Sequence, residues 1–181
     1  MSKDPTLEAN VNTRERSSCN TALHIAASNG FGEIMRAIFP HKPSLLAQNK
    51  DGNFAINLAA KHGHLECVKL LMREGSLAFV GNRMFKNPLM LAAENGHFKV
   101  VEYLLNEKIR PHYQLNKINE SELTLASKNG HIEIVRLLLE SADQNLLKQT
   151  ELNEALREAQ NKERFNVVEL LIAAGADIAE I

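Results

Sequence analysis

The amino-acid sequence repeats itself with a period of about 33 residues. Five segments align, and their last residues are Gly30, Gly63, Gly96, Gly130 and Glu163, which are spaced 33, 33, 34 and 33 apart. A period of roughly 20–50 residues indicates a repeat architecture, in which each unit buries its apolar surface only by stacking on a neighbour. The chain is therefore predicted to form a stack of similar units rather than a domain around one central core.

Each unit carries the pattern of two short amphipathic helices. In the first, a leucine or isoleucine is followed three residues later by alanine, as in Leu89 and Ala92, so both lie on one helix face. The glycine that ends four of the segments favours a left-handed helix cap. In the second helix Val68 and Leu71 face inward while Glu66 faces solvent. Each unit is thus predicted to be a helix-turn-helix.

The phrases themselves point to a known family. The first unit reads Thr-Ala-Leu-His-Ile-Ala-Ala from Thr21, and the third reads Asn-Pro-Leu-Met-Leu-Ala-Ala from Asn87, followed by Gly96-His97, Val-Val and Leu-Leu. This resembles the ankyrin repeat, and the match spans roughly Ser17 to Asp177. The resemblance implies an all-α solenoid of stacked helix-turn-helix units joined by short β-turn fingers.

The repeat phase also divides the chain. We predict an N-terminal lead-in over residues 1–16, whose first dozen residues fray, and a repeat domain over residues 17–181. The repeats fall at roughly 17–48, 49–81, 82–115, 116–148 and 149–181. In the last unit Glu158, Gln160 and Glu163 replace the usual Leu, Ala and Gly, which predicts a terminal cap with one solvated side.

The fingers differ in their turn residues. Asp51-Gly52 is typical of a tight turn, because Asp-Gly readily adopts positive backbone angles. Residues 82–86 and 116–120 occupy the same phase without Asp-Gly, so distorted fingers are expected there.

Met84 and Phe85 lie at the predicted tip of the third finger, where they would be exposed to solvent. Large apolar side chains that are exposed together often mark an interaction site. One reading is contact with a partner. The other is that Phe85 folds back onto Phe79 or Val80, and the sequence leaves both readings open.

Ankyrin arrays generally recognise a protein partner on a concave face that is lined by fingers and first helices, and the resemblance implies the same here. The residues at those phases are our candidate partner-binding residues. They are Lys50, Asp51, Asn53, Lys61, His62, Arg83, Met84, Phe85, Lys86, Glu94, Asn95, Lys117, Glu120, Lys128 and Asn129. Six are basic and three acidic, which favours a partner with an acidic or mixed acidic and apolar surface, although ordinary solvated charge explains the same residues.

Overall charge argues against other partner classes. The 21 basic and 22 acidic side chains nearly cancel, so no global field draws the chain to nucleic acid or to an anionic membrane. We find neither a signal peptide nor an apolar stretch of the roughly 20 residues that a membrane helix requires. With only two cysteines, a cytoplasmic, monomeric protein is expected.

Catalytic and metal chemistry are not predicted. His62, His64 and Cys67 offer zinc-type ligands at close spacing, but no fourth ligand follows. The resemblance implies instead that the histidines after the capping glycines bond neighbouring backbone, and that His24 pairs with Thr21. With no nucleophile elbow or phosphate-cradling loop, we predict no enzyme activity, cofactor or metal.

Two further roles remain open beside a protein-binding adaptor. The segment from Pro43 to Gly52 and the Asn/Lys-rich spacers are similar in style to ankyrin proteins of intracellular bacteria. The array could then be the targeting module of a secreted effector acting on host proteins in the host cytoplasm. The other role is an inhibitor that occludes an enzyme.

Overall fold

A computed structural model describes residues 10–107, 120–141 and 149–177. In these ranges the chain forms ten α-helices and no β-strand, and a 3₁₀ turn, Phe39–His41, follows the second helix. The helices are α1 (Ala22–Ser28), α2 (Gly32–Ile38), α3 (Ala55–Lys61), α4 (Leu65–Arg73), α5 (Pro88–Glu94), α6 (Phe98–Asn106), α7 (Glu122–Asn129), α8 (Ile132–Ser141), α9 (Gln149–Asn161) and α10 (Phe165–Ala173). The all-α prediction is confirmed.

The helices stack in two layers. The first helices of successive units, α1, α3, α5, α7 and α9, pack in order, and so do the second helices, α2, α4, α6, α8 and α10. Ala59, Ala92 and Ala126 lie at the centre of the first layer and are fully buried, because only a small side chain lets two helices approach this closely. One apolar core runs through the whole stack. The predicted solenoid is confirmed.

Three of the first helices, α1, α5 and α7, begin at side-chain caps. Asn87 Oδ1 accepts a hydrogen bond from Met90 N at 2.9 Å, and Ser121 Oγ accepts one from Thr124 N at 3.2 Å. These bonds satisfy amides that have no partner within the helix. In these units the residue type before the first helix therefore helps to determine where that helix begins.

The same helices end at left-handed residues, as predicted. Gly30, Gly63, Gly96 and Gly130 have φ between 75° and 78°. Glu163 holds the same position in the last unit with φ 57°, so the fold imposes this conformation there even without glycine.

The third finger is not distorted. Asn82 N donates to Lys86 O at 3.0 Å, just as Asn49 N donates to Asn53 O at 3.0 Å in the second finger. Phe85 takes φ 59° where the second finger has glycine. Our expectation of distortion was wrong here because an asparagine side chain closes the turn, its Oδ1 accepting turn amides in both fingers. Residues 116–119 of the fourth finger lie outside the described residues.

The fifth unit has helix where a finger was expected. Residues 149–153 form the first turns of α9, and Gln149 Nε2 donates to Gly175 O at 2.8 Å. Arg157 is exposed at a position that is buried in the other units. Gln160 is partly exposed where Ala93 is fully buried. The prediction of a terminal unit with one solvated side is confirmed.

The described part of the lead-in is attached to the stack. Asn12 Oδ1 accepts a hydrogen bond from Ser44 N at 2.7 Å. Arg14 Nη1 donates to Gln48 O at 2.6 Å. Fraying was predicted for the first dozen residues. For Asn12 that prediction was wrong, because its side chain hydrogen-bonds to Ser44 of the first unit.

Candidate functional site

We use the name inner face for the finger turns together with the outward side chains of the first helices, where the candidate residues were predicted to lie. Hydrogen bonds join neighbouring fingers. Asn82 Nδ2 donates to Asn53 Oδ1 at 2.9 Å, and Arg83 N donates to Asp51 O at 3.2 Å. The second and third fingers therefore form one connected edge. Asn53 was predicted to be exposed, and that prediction is wrong, because Asn53 is 6% exposed and hydrogen-bonds within and between the fingers.

Most of the other candidates are exposed on this face. They are Lys50, Asp51, Lys61, His62, Arg83, Met84, Phe85, Asn95 and Asn129. Lys117 lies outside the described residues. Exposure makes these side chains available to a partner, and their use by one stays a prediction.

Four of the predicted contacts form ion pairs with one another. Lys86 Nζ lies 2.6 Å from Glu94 Oε1 in the third unit, with side chains 16% and 26% exposed. In the fourth unit Lys128 pairs with Glu120, with side chains 20% and 8% exposed. The two pairs occupy equivalent positions with the charges reversed. Glu120 was predicted to be exposed and is buried, because Lys128 lies over it and compensates its charge.

Pairing changes the charge that the inner face presents. Lys50, Lys61 and Arg83 make no ion pair with any described residue, and Asp51 is the exposed acid beside them. The basic bias thus belongs to the second unit and the third finger. His62 adjoins Lys61, and its pKa is lowered by partial burial and then by the charges of Lys61 and neighbouring histidines.

The apolar finger tip is exposed as well. Met84 is 43% and Phe85 57% exposed. The turn folds back through its backbone, since a Cβ on Gly81 would lie 2.7 Å from the Phe85 carbonyl carbon. Phe85 is more than half exposed, so packing against Phe79 or Val80 would cover only part of this residue, and contact with a partner stays a prediction.

Histidines connect each unit to the one before. The ring nitrogen Nε2 reaches a backbone oxygen at the end of the preceding first helix, as predicted. The pairs are His64 with Ser28 at 3.1 Å, His97 with Lys61 at 2.8 Å and His131 with Glu94 at 3.0 Å. In the fifth unit Arg164 Nε donates to Lys128 O at 3.3 Å instead. These side chains hold the stack together.

The suspected zinc ligands have separate roles. His64 contacts the backbone of the preceding unit, while Cys67 is 1% exposed in the core and its pKa is raised mainly by burial. Across residues 10–107, 120–141 and 149–177, no three His, Cys, Asp or Glu side chains form a group suited to a metal ion.

His24 is a buried histidine with both ring nitrogens in use. Thr21 N donates to its Nδ1 at 3.3 Å, the Thr21 hydroxyl lies 2.8 Å from the same atom, and Nε2 lies 3.0 Å from Asn53 O. Because an amide only donates, Nδ1 is the acceptor and Nε2 carries the proton. Burial lowers the pKa of His24 below its usual 6.5. The predicted Thr21–His24 pair is confirmed.

This neutral histidine makes stability depend on pH. Below about pH 6.5 His24 is protonated in the unfolded chain but stays neutral in the folded chain, because its pKa is lower there. The free energy of unfolding therefore falls as the pH falls. We expect the urea midpoint to drop between about pH 7.5 and about pH 5, and to drop less in His24→Asn. Asparagine is the natural control, since Asn57 holds this position in the second unit and accepts from Phe54 N at 2.9 Å. An equal drop in both proteins would contradict this assignment.

No helix within the described residues has the length and apolar character needed to cross a membrane.

Comparison with known protein families agrees with this geometry. Curated protein sequences gave no significant match. A family model for ankyrin repeats, built of three copies, matches residues 5–76, 23–114 and 89–180. Ankyrin repeats are generally protein–protein interaction modules. The chain belongs to the ankyrin-repeat family.

Proposed function

We propose that this chain is a protein-interaction module, without catalytic activity of its own, that recognises a protein partner on its inner face. One observation carries the proposal. Lys61 and Arg83 are exposed and unpaired among the described residues, and they share this face with the exposed apolar tip of Met84 and Phe85. Charged groups around an apolar anchor are the usual composition of a protein-binding surface.

The rigidity of the inner face supports the same proposal. Two hydrogen bonds connect the second and third fingers. Arg83 N donates to Asp51 O at 3.2 Å, and Asn82 Nδ2 donates to Asn53 Oδ1 at 2.9 Å. Less side-chain and loop freedom is then lost when a partner binds. The partner is a protein with acidic or mixed acidic and apolar character. An adaptor, the targeting module of a secreted bacterial effector and an enzyme inhibitor would all use this surface, and they differ in the partner's identity.

Site-specific photocrosslinking tests which face is used. A photoreactive amino acid is placed at Met84 on the inner face or at Glu102, which is exposed on α6. We expect a specific protein adduct in cells of the source organism from position 84 and not from position 102. An adduct only from position 102 would contradict the proposal.

The partner identified in this way then serves for affinity measurements. Lys61→Glu with Arg83→Glu is expected to weaken binding roughly tenfold, and binding should fall as salt is raised. Glu102→Lys with Glu133→Lys is the matched outer-helix control and should change little. If Met84→Ala with Phe85→Ala weakens binding more than the charge reversals, and salt has little effect, the apolar tip is the main anchor.

A further inference from the structure

A groove of about 390 Å³ opens beside the second and third fingers. Lys50 and Arg83 in its lining were candidate partner-binding residues, but the sequence did not predict the groove itself. Its lining includes Arg14, Lys50 and Arg83, together with Cys19 and Leu46. We call it the finger groove. Arg14 belongs to the N-terminal lead-in, Lys50 to the second unit and Arg83 to the third, and all three line this groove.

The finger groove has a single sign of charge. No acidic side chain is among its described lining residues, and Arg14, Lys50 and Arg83 form no ion pair with any described residue. All three are exposed. A concave surface whose charged lining residues are all cations attracts an anionic ligand.

Two of the cations are held in position. Arg14 Nη1 donates to Gln48 O at 2.6 Å, which leaves its other guanidinium donors for a ligand. The stem of Arg83 lies against Gly52, where a Cβ would come within 2.6 Å of Arg83 Cγ. Cations that are already ordered lose less conformational freedom on binding.

The groove also offers an apolar contact. Leu46 is 61% exposed, among the most exposed large apolar side chains in the described structure, and Cys19 beside it is partly exposed. An aliphatic side chain of a ligand would cover Leu46 and remove its apolar surface from water.

We propose that the finger groove binds an extended acidic segment of the protein partner, with Asp or Glu carboxylates on Arg14, Lys50 and Arg83 and an aliphatic side chain on Leu46. This rests on the proposed function and names the partner's recognition element. Several carboxylates along one segment can each meet one of the three cations that line the groove. Guanidinium groups bind carboxylates with two parallel hydrogen bonds. A nucleic acid fits less well, because the described lining has no aromatic side chain on which a base could stack.

A phage-displayed library of random dodecapeptides tests the proposal on the intact chain. We expect enriched peptides to combine several Asp or Glu residues with one aliphatic residue. In fluorescence anisotropy, Arg14→Ala with Lys50→Ala should weaken an enriched peptide about tenfold. Lys99→Ala with Lys162→Ala, two exposed lysines outside the groove, removes the same charge and should change affinity less than about twofold.

Several outcomes would contradict the proposal that the finger groove binds an acidic segment. They are no enrichment, enriched peptides without acidic residues, or equal losses in the two double variants. Tighter binding when phosphoserine replaces the acidic residues, or displacement by oligouridine, would assign the groove to another anion. If the groove variants leave peptide binding unchanged while the crosslinked partner still requires Lys61 and Arg83, only this inference fails. If no partner crosslinks to the inner face, the proposed function fails whatever the peptides show.

Discussion

Gly96→Val is expected to lower the free energy of unfolding by about 3 kcal/mol relative to the wild-type chain. This is the largest loss that we expect from any single substitution described here. Gly96 has φ 78°, where a β-branched residue is strained by roughly 1–2 kcal/mol. A Cβ there would also lie 2.7 Å from His131 Cε1. The ring must move, which breaks its hydrogen bond to Glu94 O and removes roughly 1 kcal/mol more. Urea denaturation followed by circular dichroism measures the change.

Two controls separate strain from the clash with histidine. Gly75 has φ 90° with nothing within 4 Å of a Cβ, so Gly75→Ala introduces left-handed strain alone. Gly96→Ala adds the contact with His131 and should lose more stability. Glu163→Val should lose less than Gly96→Val, because that position already holds a residue with a side chain at φ 57°. Equal losses at positions 96 and 163 would show that the cap assignment is wrong.

The second large effect concerns the ion pair of the fourth unit. Lys128→Glu is expected to lower the free energy of unfolding by about 2 kcal/mol, because it leaves the Glu120 side chain, 8% exposed, facing a like charge. For this reason Lys128, although predicted from the sequence as a partner contact, is a poor position for testing binding.

The double variant Glu120→Lys with Lys128→Glu should recover most of that loss. It reproduces the polarity of the third unit, where Lys86 stands at the first position and Glu94 at the second, 2.6 Å apart. Lys99→Glu, at an exposed position of α6, serves as the control for a change of net charge and should have little effect. A double variant as unstable as the single one would show that the two positions do not interact as a pair.

Local sequence determined the helices and their order. A leucine with an alanine three residues later, as at Leu89 and Ala92, defines the buried face of each first helix by spacing alone. Gly96 defines its end because few other residues adopt a left-handed cap without strain. The backbone contacts of the histidines that follow the capping glycines were predicted as well, because the repeated segments resemble the ankyrin repeat. All of these features repeat with the unit, so one chain shows them several times.

Only the tertiary structure decided which polar residues of the inner face are available to a partner. Asn53 is buried because Asn82 of the next finger, 29 residues later, hydrogen-bonds to it. Glu120 is buried because Lys128 extends back over it from the far end of α7. The finger groove likewise brings together Arg14 of the lead-in, Lys50 of the second unit and Arg83 of the third. Repeat phase places such residues on one face, but their burial and pairing depend on the side chains of neighbouring units, which differ from repeat to repeat.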